Sequence, residues 1–459
     1  MTKIMFFDDW FLQDRDHFKR LYGKPKWIEY AVLEDDATEG AWNYPTIWFD
    51  EERNKWLALY GGAMEHSFSD HTGFHLRTQV LLMAESVDGI RFTKSKIEPF
   101  PGQLRENQVF PRENNCLPLR YDGSPVYYDT HAPKEGRLKY LYRFFDKEGK
   151  GTQYMAQSPD GLQWTSMRIT DAEDVLYHSP ASLFYNQKRN CLTLSNWYSP
   201  HDHRIVFRDY DGESSFYSPR LVMQADGQDS PLNETYAMII APYDGYYIGL
   251  LWMYQSDDNE IQELKLHGNM EGYLVYAYDP DVFLRADYTP FITRNSLGQH
   301  GGGCIFPSCL IQGKDDIRIY SSGSYGAMFR EQGRKDAAIM VHTLRKDGFV
   351  SFIAKGRGHL TTKSLKIVGD RLYVNVSVPY GNLKAQLVNE EGPIEGYTFN
   401  ECVTLDHVDG TQLELSWKEK KGIGMLKNQL VYLELELING CLYSIYGDFH
   451  VVHMGKVIW

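Results

Sequence analysis

The 459-residue chain has no Cys-x-x-Cys pair. Of its 6 cysteines only Cys304 and Cys309 lie close in sequence, with no second pair to complete a zinc motif, which leaves free, mostly buried thiols as the expectation. There is no lysine or arginine stripe, and the formal net charge is -13. That balance excludes nucleic acid as a partner, because phosphate contacts need a basic surface. No apolar run is long enough to span a membrane, and the start, Met1 to Asp9, lacks the apolar stretch of a signal peptide. The expectation is a soluble, cytoplasmic protein without a membrane partner. Long helical periodicity is also scarce, and only Asp16 to Tyr22 carries a short helical pattern.

Aromatics are plentiful, at 14% of the chain with 32 tyrosines, which suits strand packing and stacking on sugar rings. A pattern returns five times: an Asp-Gly type turn leading to an aromatic after an apolar strand. It reads Asp88-Gly89 to Phe92, Asp160-Gly161 to Trp164, Asp211-Gly212 to Phe216, Asp279-Pro280-Asp281 to Phe283, and Asp347-Gly348 to Phe349. The spacing, about 50 to 70 residues, fits four-stranded units with long loops. Upstream of each turn lies a first strand: Pro45 to Phe49, Pro125 to Tyr128, Pro180 to Tyr185, Met238 to Ala241 and Ile305 to Cys309. A second strand follows each: Trp56 to Tyr60, Leu138 to Phe145, Leu192 to Tyr198, Tyr246 to Tyr254 and Ile317 to Tyr320. Strand, turn, strand, turn describes a meander. The expected fold class is therefore all-β, a five-bladed β-propeller over residues 1–345. From about Lys363 the chain alternates at period two between Gly, Asp and Asn turns, so residues 346–459 are expected to form a C-terminal β-sandwich.

In a propeller the first strands converge on a central channel, and polar residues at their leading ends line a funnel. Those positions hold Asp35, Asp36, Glu39, Trp42, Asn43 and Tyr44, then Glu113, Asn114 and Asn115, then His178 and Ser179. They continue with Asn233 and Glu234, and with Gln299 and His300. Carboxylates and histidines on one rim suit general acid and base work. At the opposite ends, Asp50, Asp129, Asn186 and Asp244 read as turn residues, and so do the Asp-Gly aspartates. The histidine-rich stretch Glu65 to His71, with His75, matches no strong metal motif. It reads as a solvated loop, and no metal or cofactor is expected. His201-Asp202-His203 reads as an exposed turn.

Five blades, a trailing sandwich and the segment Trp42-Asn43-Tyr44-Pro45 together resemble the five-bladed propeller glycoside hydrolases, of the invertase and levanase type (family 32) and the arabinanase and xylosidase type (family 43). Leu344 to Ser351, followed by His359 to Lys363, is similar to the propeller-to-sandwich junction of a bacterial subgroup related to them, and so is Tyr236 to Trp252. The resemblance implies two aspartates and a glutamate acid, with two carboxyl groups about 5 Å apart for retention and further apart for inversion. The residues match in part. Where the family's Trp-x-Asn-Asp-Pro is expected, Asn43 is followed by Tyr44 and Pro45, and the expected Arg-Asp-Pro is His178-Ser179-Pro180. Glu234 alone keeps a carboxylate near the family's position.

Three readings follow. Neighbouring acids, among them Asp36, Glu39 and Glu113, take over beside Glu234 as general acid, and the chain is a glycoside hydrolase acting on a small oligosaccharide of fructan, arabinan or related type. In that case Trp42, Asn43, Asn115, His178, Trp197 and His300 hold the sugar. Alternatively the chain binds carbohydrate without cleaving it. In the third reading Tyr44 is a nucleophile, as a tyrosine is in sialidases. Ser158 to Trp164 echoes the Asp-box of that group, though the box marks a turn. A homo-oligomer is left open.

Overall fold

The computed structural model describes residues 1–33, 44–69, 75–97, 116–121, 123–145, 151–169, 180–198, 203–256, 268–326, 338–419 and 422–459. The protein is all-β: among the described residues there is no α-helix, only short 3-10 turns such as Lys134–Gly136 and Gly424–Leu426. The chain divides into two compact units. One holds Pro25–Ile311 and Arg318–Thr343, the other Met1–Lys24, Gln312–Ile317 and Leu344–Trp459.

The larger unit is built from five antiparallel meanders. The first runs through Thr46–Asp50, Lys55–Ser69, His75–Ser86 and Thr93–Lys94, and the second through Tyr127–Tyr128, Leu138–Phe145, Gly151–Ser158 and Thr165–Arg168. Ser182–Asn186, Cys191–Tyr198, Arg204–Asp209 and Arg220–Met223 make the third. The fourth is Asn233–Tyr243, Tyr246–Ser256, Gly268–Asp279 and Val282–Arg285. Cys304–Gln312, Asp316–Ser324 and Ala338–Arg345 form the fifth, whose outer strand comes from far upstream, Lys26–Leu33. All ten first and second strands expected from the sequence are present.

Successive meanders are tied by hydrogen bonds near their first strands. Thr46 Oγ1 donates to the Val126 carbonyl, the Tyr185 amide donates to Tyr127 Oη at 3.1 Å, and Ser195 Oγ donates to the Met238 carbonyl at 3.0 Å. Trp252 Nε1 reaches the Pro307 carbonyl at 2.7 Å, and the Ile47 amide reaches Cys309 Sγ at 3.4 Å. The fifth tie returns to the first meander, so the set closes on itself. Burial in this contact pushes the Cys309 thiol up to about 12. The five described cysteines are free, and Cys304 and Cys402 are buried.

The repeated aspartates do turn chemistry. Asp88 Oδ1 accepts the amides of Ile90 and Arg91 at 2.8 and 3.0 Å, while Gly89 takes a φ of 71°. Asp160 Oδ1 does the same for Leu162 and Gln163 at 2.9 and 3.0 Å, with Gly161 at φ 81° and Trp164 Nε1 on the Gly161 carbonyl. Positive φ is the conformation glycine tolerates best. The fifth aspartate departs from the pattern. Asp347 belongs to the smaller unit, and its nearly buried carboxylate pairs with Lys3 Nζ at 2.7 Å and accepts from Ser444 Oγ at 2.6 Å.

The smaller unit differs from the division drawn on the sequence, because residues 1–24 belong to it. Thr2–Met5 pairs with residues 444–447, and Leu12–Asp16 pairs with residues 359–362. The helical pattern at Asp16 to Tyr22 is not realised. Lys19–Tyr22 is a strand on residues 350–353, His17 sits at φ 58°, and Arg20 is held over the Phe352 ring. Tertiary pairing outweighs a weak local propensity here. The spine of the unit is Leu430–His453, whose Val431, Leu433, Leu435 and Leu437 are fully buried at period two. Hydrogen bonds join its partners into one eleven-stranded network.

Candidate functional site

Glu234 is the second residue of Asn233–Tyr243, at the leading end of the fourth meander's first strand. Its carboxylate Oε2 meets His203 Nδ1, with side-chain exposures of 27% and 12%. His203 stands immediately before Arg204–Asp209, in the third meander. Thr235 Oγ1 donates to the His203 carbonyl at 2.9 Å, so backbone and side chain are both tied across the two meanders.

The imidazole is walled by aromatic rings. Trp197 packs edge-on at 4.2 Å and Tyr236 at 5.1 Å. Tyr236 owes its direction to a bulge: Thr235 opposes Met253 and Ala237 opposes Trp252, leaving Tyr236 as the extra residue. Bulges of this kind re-aim a side chain beside functional sites. Tyr254, opposite Glu234 in the register, closes the wall at 6.2 Å from Tyr236.

Tyr44 lies behind this wall. Its ring packs on Trp252 at 4.7 Å and Phe306 at 5.4 Å. Burial, with Tyr236 and Cys304 nearby, pushes its phenol well above the usual tyrosine range. Burial likewise pushes Tyr236 up. A nucleophilic tyrosine needs its phenolate accessible, and here the phenol is buried and its ionisation disfavoured, which weighs against the nucleophile role that the third reading gives Tyr44.

The structure thus brings together Glu234 and Trp197 from the sequence candidates, with Tyr44 behind them. His300 packs among Tyr325 at 4.3 Å and Tyr30 at 5.4 Å in the fifth meander. Asp36, Glu39, Trp42, Asn43, Glu113, Asn115 and His178 lie outside the described residues, as do the side chains of Glu65 to His71 and His75. Among the described residues no group of three or more His, Cys, Asp and Glu is placed to hold a metal. His203 was missed. Its triplet was read as an exposed turn, yet its ring is largely covered. The available signal was its place at the start of a third strand, on the same end of the meanders as Glu234.

A carboxylate against an imidazole nitrogen holds one transferable proton between two groups. The pair can deliver that proton to a departing oxygen and take one back from water, while the half-buried Trp197 offers a face for a sugar ring.

No family model matches the sequence, and no curated protein matches it. Solved structures do show likeness. A β-1,2-mannobiose phosphorylase from Listeria innocua is 12% identical with a TM-score of 0.46, covering 67% of this chain and 90% of that one. An N-acetylgalactosamine deacetylase from F. plautii is 12% identical with a TM-score of 0.45, covering 73% and 97%. A GH43 endo-arabinanase from Bacillus licheniformis is 13% identical with a TM-score of 0.39, covering 68% and 96%. Likeness at this level leaves the activity to be argued from the residues themselves.

Proposed function

We propose that the chain is a carbohydrate-active enzyme, a glycoside hydrolase that cleaves an O-glycosidic bond in a small oligosaccharide, with the five meanders serving as the blades of a propeller. The contact between Glu234 and His203, walled by Trp197 and Tyr236, carries this reading. Glu234 is the general acid, and His203 holds its carboxylate and shares its proton. Trp197 stacks on the sugar ring next to the scissile bond. The second carboxylate of the two-acid scheme falls to Asp36, Glu39 or Glu113.

A non-catalytic carbohydrate-binding protein is the second reading. One observation favours it: where the resemblance calls for an aspartate, Tyr44 contributes a buried, protonated phenol. Incubation of wild type and Glu234→Gln with fructan, arabinan and mannan oligosaccharides, followed by chromatography of released sugars, separates the two. Release by wild type and not by the variant supports the hydrolase. Saturable binding without release by either supports the binding protein.

A further inference from the structure

Lys26–Leu33, the outer strand of the fifth meander, carries two irregularities within eight residues. Tyr30 opposes Met340, Glu29 opposes Val341 and Trp27 opposes His342, so Ala31 and Ile28 are extra residues with no counterpart. In a regular strand residues three apart point to opposite faces. The extra residue at Ile28 turns Trp27 and Tyr30 to one face, where their rings meet at 4.9 Å. The row continues through His300, 5.4 Å from Tyr30, to Tyr325, 4.3 Å from His300. Asn295 Nδ2 fixes the loop by donating to the His300 carbonyl at 2.9 Å, and the Gly303 amide donates to the Ser324 carbonyl beside Tyr325 at 3.0 Å. Both ends of the row face solvent, with Trp27 42% and Tyr325 37% exposed.

Bulges protect an edge strand from pairing, but exposed rings forgo burial, so the two exposed aromatic ends of the row point to a ligand. We propose that Trp27, Tyr30, His300 and Tyr325 form a second carbohydrate subsite, which stacks a sugar unit other than the one at Glu234. The row carries phenol and imidazole edges that can meet sugar hydroxyls. The inference rests on the carbohydrate reading above, and it makes the preferred ligand longer than two units.

Calorimetric titration of the Glu234→Gln protein with arabino- and fructo-oligosaccharides of two to six units tests it, with Tyr325→Ala, Trp27→Ala and Trp197→Ala each added to that background. The expected result is a loss of roughly five-fold in affinity for the longer sugars in Tyr325→Ala and in Trp27→Ala, with the two-unit sugars unaffected. If both variants bind every length as their parent does while Trp197→Ala weakens binding, the second subsite is overturned and the carbohydrate reading of the Glu234 site stands. If no sugar binds any of the proteins, both fall. Should Trp27→Ala instead change the sedimentation behaviour of the protein alone, a second copy of the chain covers the row, and the sugar subsite is overturned.

Discussion

The imidazole of His203 rests on the carboxylate of Glu234, although 31 residues and a change of meander separate them. Phenylalanine at position 203 would preserve packing against Trp197 and Tyr236 and remove the nitrogen. His203→Phe is expected to lower turnover by about 10²- to 10⁴-fold, and to move a limb of the pH profile of kcat/KM, while the thermal midpoint changes little. A pH profile that superimposes on wild type would make His203 a packing residue only.

Tyr44→Phe is expected to keep turnover near the wild-type level, because a phenol held protonated by burial supplies no nucleophile. Steady-state kinetics on the same substrate checks this. A loss of several orders of magnitude would restore the sialidase-like reading.

Stability should fall on acidification through one buried histidine. Burial depresses His342 from its ordinary value to about 4. Its folded form resists the proton that the unfolded chain accepts near pH 6.5, so its contribution is complete above that pH. It is lost progressively as pH drops toward 4, on the order of 3 kcal/mol in all. Urea unfolding followed from pH 7.5 to 4.5 should show a shallower decline in His342→Leu than in wild type. Parallel curves would mean that His342 titrates normally.

Lys3 and Asp347 are 8% and 1% exposed, and they close the smaller unit across 344 positions of the chain. Removing one partner leaves a buried charge, so Asp347→Ala is expected to cost about 3 to 5 kcal/mol in denaturant unfolding. The double replacement Lys3→Met with Asp347→Asn, which keeps at position 347 a residue that tolerates its φ of 57°, should cost less than Asp347→Ala alone. A double variant that is at least as unstable as the single would show that packing, rather than the charge, matters there.

The strands were legible because their markers are local. An aspartate that accepts the amides two and three residues on, followed by glycine at positive φ, writes a turn into five or six residues, and Asp88 and Asp160 do so. Glu234 was legible for a related reason, since counting meanders places it at a strand's leading end. Asp347 shows the limit: the same dipeptide serves a buried ion pair with Lys3, which no local window contains. The placement of residues 1–24 and the strand at Lys19–Tyr22 failed in the same way, because their partners lie more than 300 residues downstream. His203 depends on an acid in another meander, and the Tyr236 bulge that packs against it leaves no periodic signature. The grouping of His300 with Tyr30 and Tyr325 follows from strand closure by Lys26–Leu33, which sequence order hides.

The measurement that tests the acid role of Glu234 most directly compares wild type and Glu234→Gln on two substrates with the same sugar. One carries a dinitrophenyl leaving group that departs without protonation, and the other a natural sugar that needs it. The account predicts that Glu234→Gln loses about 10²- to 10⁴-fold on the natural linkage and retains most of its first-step rate on the aryl glycoside. Wild-type turnover of both by the variant would contradict it.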